Sequence, residues 1–168
     1  MAKVIAICNQ KGGVGKSTTA VNVGSYLALS GKRTLLVDLD PQGNATTACG
    51  IDRIGIERDT YDVLVDGVQA QEAILKSPVD RLDLIPSTID LAGAELYLTT
   101  VECRETVLKR ACEPLRQNYD FILFDCPPSL GLLTINALVA ADSTMIPVQC
   151  EYLALEGLNS LLHAVTLI

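Results

Sequence analysis

The run Lys11-Gly12-Gly13-Val14-Gly15-Lys16-Ser17-Thr18 places three glycines, two lysines and two hydroxyls within eight residues. Each type suits a phosphate chain. Glycines admit positive φ and let successive N–H groups close on phosphate oxygens, and a helix starting behind them adds the positive end of its dipole. Lys16 can reach β and γ phosphates, Ser17 can offer a hydroxyl to Mg²⁺, and Thr18 can sit near the α phosphate. The strict pattern G-x-x-x-x-G-K-[ST] requires glycine at position 10, where this chain has Gln10. The loop is a variant, K-G-G-x-G-K-[ST], with an additional lysine, Lys11, at its start.

A magnesium nucleotide site also needs carboxylates at the ends of neighbouring parallel strands. Asp38 and Asp40 close one apolar run, and Asp125 closes another, Phe121 to Phe124. An aspartate after a strand is ordinarily a turn former or helix cap. Beside the glycine loop, Asp125 becomes the candidate to hold Mg²⁺ through water, as a Walker B carboxylate does. Asp40 becomes the candidate to position the lytic water.

These residues require elements to hold them. Lys3 to Cys8 reads as a buried strand, and Ser17 to Ser30 as a helix with the stripe Ala20, Val23, Leu27 and Gly31 at its C-terminal cap. Thr34 to Val37 reads as a second strand, which completes a βαβ unit with a right-handed crossover. Further on, short helices are expected at Tyr61 to Val65 and Glu72 to Leu75, and a strand at Leu82 to Ile85. A helix from Arg104 to Gln117 with the stripe Leu108, Ala111, Leu115 should precede the strand at Phe121. A helix at Leu132 to Ala141, a strand at Thr144 to Val148 and a helix from Leu155 complete the pattern. The alternation predicts a doubly wound, mostly parallel α/β sheet with helices on both faces, one domain over residues 1–168. The last helix stops inside an apolar pattern, from which a truncated chain is expected.

The 168 residues are 49% hydrophobic, which excludes intrinsic disorder. Twenty acidic against thirteen basic residues give a net charge of −7, so the chain as a whole has no basic field for nucleic acid or anionic lipid. The six cysteines have wide spacings and include no C-x-x-C pair, and several sit in apolar runs, which favours reduced thiols. The short apolar run in MAKVIAICNQKGG does not make a signal peptide, and no stretch reaches the length of a membrane span, so a cytoplasmic protein is expected. One histidine and no tryptophan leave little room for histidine triads or multi-histidine metal sites.

The combination of KGGVGKST, DLDPQGN (Asp38 to Asn44) and FDCPPSLGLLTINAL (Phe124 to Leu138) closely resembles the ParA/Soj type of chromosome- and plasmid-partitioning ATPases, which carry a deviant Walker A P-loop. The likeness extends through LAGAELYL (Leu91 to Leu98) and PVQCEYLALEGL (Pro147 to Leu158). It implies an ATPase that binds ATP and Mg²⁺, converts ATP to ADP and phosphate, and forms an ATP-dependent homodimer. It implies that Lys11 is the signature lysine that reaches the opposing subunit's nucleotide. Asp40 would belong to the first switch, and Asp125 to the second, which Pro127 and Pro128 shape. Partners implied are a second copy of the chain, a ParB-type protein and, through basic residues in a segment that this chain lacks, non-specific DNA. DNA binding by these 168 residues is therefore not expected. Three alternatives stand beside this one. Iron–sulfur relatives would use Cys126 or Cys150, MinD-like division-site ATPases would add a membrane helix, and a fragment or adaptor would bind nucleotide without turnover.

Overall fold

Thr34–Asp38 (β2) is buried at every position and Phe121–Asp125 (β5) at all but its first. Strands covered on both faces have this pattern, and it explains their unbroken apolar sequences. The computed structural model describes residues 1–149 and residue 166. The expected helix from Leu155, apart from Thr166, lies outside these residues.

Among the described residues the sheet has six strands. Lys3–Ile7 (β1), β2, Leu75–Lys76 (β3), Leu82–Ile85 (β4), β5 and Ser143–Met145 (β6) lie in the order β3-β4-β2-β5-β1-β6. Every pairing is parallel except β3 with β4. Lys16–Leu29 (α1) and Asn44–Ala48 (α2) cover one face, where Ala20, Ala28 and Ala45 pack with Ile7, Leu36, Leu84 and Leu123. Thr60–Leu64 (α3), Ala94–Leu98 (α4), Val107–Cys112 (α5) and Leu132–Ala140 (α6) cover the other, against Val4, Val37, Ile122 and Phe124. The expected doubly wound α/β sheet is thus observed.

The chain leaves β1 through α1 toward one sheet edge and leaves β5 through α6 toward the other, on the opposite face. This divergence opens a crevice beyond the carboxyl ends of the central strands. Register brings the chemistry together there. Asp38 and Asp125 are direct partners across β2 and β5, and Ile7 is the partner of Asp125 across β1 and β5.

Some elements differ from the sequence reading. The buried line of α1 is Ala20, Gly24, Ala28, with Val23 and Leu27 packed at its flanks. A Cβ on Gly24 would come within 3.3 Å of Leu82 and 3.4 Å of Leu123, so small residues let α1 lie close on the sheet. In place of a helix at Glu72 to Leu75, a 3₁₀ turn spans Ala70–Ala73, and Leu75 pairs with Leu84 in β3. The continuous helix from Arg104 to Gln117 is instead α5 flanked by 3₁₀ turns. Pro114, at the start of the second turn, lacks the N–H that an α-helix would need there. The strand at Thr144 to Val148 is limited to β6 by Pro147 for the same reason.

Candidate phosphate and metal site

The glycine loop joins β1 to α1, and its backbone explains its composition. Gly13 and Gly15 have φ of 74° and 89°, which strain any residue with a Cβ. A Cβ on Gly12, Gly13 or Gly15 would meet nothing within 4 Å, so these positions border open space. Lys16 is only 7% exposed. Its Nζ donates to the carbonyl of Lys11 at 3.2 Å, which folds the side chain back over the loop. The loop is also anchored from outside. Asn9 accepts from the Lys11 N–H at 3.0 Å and donates to the Pro147 carbonyl at 2.8 Å, while Gln149 donates to the Gly13 carbonyl at 3.3 Å.

Gly12, Gly13, Gly15, Lys16, Ser17 and Thr18 line one side of a cavity of about 570 Å³, and Asp40, Gln42, Asn44 and Pro128 line the other. This volume suits a nucleotide-sized ligand. Lys11 and Val14 belong to the loop without lining the cavity. A second cavity, of about 550 Å³, lies near the amino ends of β2, β4 and β5. Its charges are mutually satisfied: Lys76 and Tyr119 both donate to Asp83, and Arg33 pairs with Asp120 nearby. It offers a ligand no uncommitted charge of this kind.

The three aspartates prove unlike one another. Asp38 is fully buried and accepts from the N–H groups of Asp40 and Thr46 and from the Thr46 hydroxyl, the last at 2.7 Å. Burial still pushes its carboxyl up to about 6. These bonds make Asp38 the fastening of α2 and of the loop before it. Asp40 is 7% exposed and accepts from the Gln42 N–H at 2.9 Å through Oδ1. Asp125 is fully buried, and neither carboxylate oxygen has a hydrogen-bond partner. Burial, reinforced by the negative charges of Asp38 and Asp40, pushes its carboxyl up to about 7, against the opposing pull of the nearby Ser17 hydroxyl and Lys16.

Two buried, unpartnered oxygens beside a serine hydroxyl are a donor set that suits a hard divalent cation, directly or through water. Ser17 and Asp125 thus fit Mg²⁺; Ser17 and Asp40 line the cavity, whereas Asp125 does not line it and lies fully buried near Ser17. Among the described residues no cluster of three or more His, Cys, Asp or Glu side chains forms an all-protein metal cage.

Sequence reasoning had placed Asp38 with the chemistry, and the structure gives it a fastening role. It had not found Asn9, Gln149 or Glu95. Glu95, on α4, accepts from the Leu133 N–H in the first turn of α6 at 3.4 Å. Its carboxylate occupies the space that a Cβ on Gly131 would need. No local pattern marks Gln149 or Glu95, because each acts on a segment distant in the chain, whereas Asn9 also accepts from the N–H two residues on, a local turn signal. Five of the six cysteines lie among the described residues, and all five are free thiols. Among the described residues no helix is long and apolar enough to cross a membrane.

A family model described as an AAA domain matches residues 2–168. The chain is similar to the sporulation initiation inhibitor protein Soj of Bacillus subtilis, 60% identical over 168 residues, which cover 100% of this chain and 66% of that protein. It is similar to the crystal structure of cobyrinic acid a,c-diamide synthase from Mycobacterium smegmatis with bound ADP and magnesium. That likeness has a TM-score of 0.94 at 43% identity and covers 99% of this chain and 67% of that one. It is also similar to a plasmid partition protein from Borrelia burgdorferi B31 bound to AMPPNP, with a TM-score of 0.88, 32% identity and coverage of 99% and 69%. The chain spans just under two thirds of the length of Soj.

Proposed function

This chain belongs to the AAA domain family, in its ParA/Soj branch, and from that premise we propose that it binds ATP with Mg²⁺ and hydrolyses the γ phosphate. The observation that carries the proposal is Asp125, with two unpartnered, buried carboxylate oxygens near Ser17 at the glycine loop. The Ser17 hydroxyl and Lys16 offset that buried carboxylate only in part, and a divalent cation held by Ser17 and Asp125 would supply the remaining positive charge.

In this reading the N–H groups of Gly12 to Thr18 and the start of α1 hold the phosphates. Lys16 leaves the Lys11 carbonyl to meet the β and γ phosphates, and Thr18 contacts the α phosphate. Mg²⁺, held by Ser17 and Asp125 with Asp40 at its margin, would neutralise charge on the transferring phosphoryl group. Asp40 orients the attacking water in line with the γ phosphate. The water oxygen bonds to the γ phosphorus as the bond from that phosphorus to the β–γ bridging oxygen breaks, the water proton passes to the Asp40 carboxylate or through solvent to phosphate, and ADP and phosphate leave.

The whole protein is proposed to dimerise with ATP, Lys11 of each copy reaching the nucleotide of the other, and to drive chromosome or plasmid partitioning with a ParB-type partner. Lys16 already supplies the intrasubunit cation, which supports a cross-subunit role for Lys11. Non-specific DNA binding is proposed for the longer relatives and not for these 168 residues, whose net charge is −7. A cytoplasmic setting suits the five free thiols.

Nucleotide binding and single-turnover hydrolysis test the reading. Lys16→Ala should weaken ATP binding, whereas Asp40→Ala should leave binding intact and slow phosphate release by about 100-fold, the usual scale for a lost water-positioning group. An Asp40→Ala protein that turns over like wild type would remove Asp40 from its role. Binding without any wild-type turnover, with or without a ParB-type protein, would leave an adaptor.

A further inference from the structure

We propose that Arg53 is a positioning residue for Asp40, acting through the single peptide plane that joins Pro41 to Gln42. The proposal deepens the ATPase reading and rests on it. Arg53 lies beyond α2 and does not line the nucleotide cavity, so it would not touch the reacting atoms. Its Nη2 donates to the Pro41 carbonyl at 3.1 Å and its Nη1 to the Gln42 carbonyl at 2.6 Å. The N–H of Gln42 donates in turn to Asp40 Oδ1 at 2.9 Å.

The Pro41 carbonyl and the Gln42 N–H are two ends of one peptide group. The chain has no cis peptide bond among its described residues, so these ends point in opposite directions from one rigid plane. Fixing the carbonyl on the outer side fixes the N–H on the inner side. Arg53 polarises that plane with a full positive charge, which strengthens the N–H as a donor. Holding one oxygen of the Asp40 carboxylate also sets the rotation of the other, the oxygen available to orient water.

The loop is built to admit this side chain. Gly43 has φ of 62°, and a Cβ there would lie 2.7 Å from Arg53 Nε and 2.9 Å from the Ser87 carbonyl. The guanidinium therefore occupies space that exists only because residue 43 has no side chain. Both described hydrogen bonds of the guanidinium end on main-chain carbonyls and neither on a carboxylate. Its planar fork matches two adjacent carbonyls in a way that the point charge of lysine does not.

The test compares wild type, Arg53→Ala, Arg53→Lys, Asp40→Ala and the Arg53→Ala/Asp40→Ala pair by ATP turnover, nucleotide affinity and thermal melting. Arg53→Ala should lower kcat by about tenfold, the scale of a small misplacement of a reacting group. KM and ATP affinity should stay within about twofold of wild type, since uniform binding is untouched. Arg53→Lys should recover part of kcat. In the Asp40→Ala background, losing Arg53 should lower turnover no further, because both changes remove one function. Normal kcat in Arg53→Ala, a parallel loss of affinity, or a full additional loss in the pair would overturn the proposal. If Arg53→Ala fails to melt cooperatively, Arg53→Lys decides, since an unaltered kcat there refutes the need for the fork. Inactive wild type, or Asp40→Ala as active as wild type, overturns the ATPase reading together with this one. Active wild type with impaired Asp40→Ala and normal Arg53→Ala overturns only the role of Arg53.

Discussion

Replacing Asp125 by asparagine should stabilise the ligand-free protein at alkaline pH while removing its response to magnesium. The carboxyl is fully buried and unpartnered, and burial is the foremost cause that raises it from 3.8 to about 7. A folded-state pKa raised above the unfolded value means that the folded state holds the proton more tightly. The associated stability is fully present below about pH 4 and is lost as pH rises through about 7. Integrating the two titrations from pH 5.5 to pH 8 gives roughly 2 kcal/mol lost by wild type and not by Asp125→Asn. For a chain of this size that corresponds to a difference of about 4–8 °C in melting temperature. The asparagine amide is itself unpartnered, a cost of about 1–3 kcal/mol that offsets part of the gain at every pH and leaves the pH slope unchanged. Melting both proteins at pH 5.5 and pH 8, with and without Mg²⁺ and ADP, checks this. Without ligand, wild type should lose more stability toward pH 8 than Asp125→Asn, which keeps only the smaller loss from Asp38, and wild type should recover further with Mg²⁺ and ADP than the variant does. Parallel pH profiles for the two proteins, or equal stabilisation of both by magnesium nucleotide, would refute the account of Asp125 as an uncompensated buried charge awaiting a cation.

Sedimentation with a slowly hydrolysed ATP analogue should show full-length Lys11→Ala as a monomer under conditions where wild type dimerises; a wild-type dimer population would count against action across the subunit boundary. Asn136, fully buried on α6, accepts from the Leu108 N–H at 3.1 Å and donates to the carbonyls of Arg104 and Leu132. Asn136→Leu should cost about 2–4 kcal/mol in urea unfolding, because it strands buried backbone groups of α5 and its preceding turn; a loss below about 0.5 kcal/mol would show that they find water. Gly43→Ala should lower both melting temperature and turnover, given its positive φ and the contact with Arg53; unaltered turnover would show that the loop tolerates displacement.

The glycine loop, the strand before it and the helix behind it were legible from the residues alone, since positive-φ glycines and a polar break between an apolar run and a helical stripe are local signals. The same holds for the placement of Asp38 and Asp125 at strand ends, because unbroken apolar runs reveal doubly covered strands. Local signals could not rank the aspartates. Asp38 and Asp125 sit on neighbouring strands as direct partners, yet Thr46 and the Asp40 N–H satisfy the first while nothing satisfies the second. That difference arises from where α2 docks, which is a tertiary fact. The division of Arg104 to Gln117 was in principle visible in Pro114, whose missing N–H interrupts an otherwise helical stripe. The supports of the site, Asn9 on the Pro147 carbonyl, Glu95 on α6 and Arg53 on the loop of Asp40, belong to tertiary structure alone. A side chain that satisfies backbone groups far away in sequence leaves no period or motif, and only packing brings it within hydrogen-bond distance.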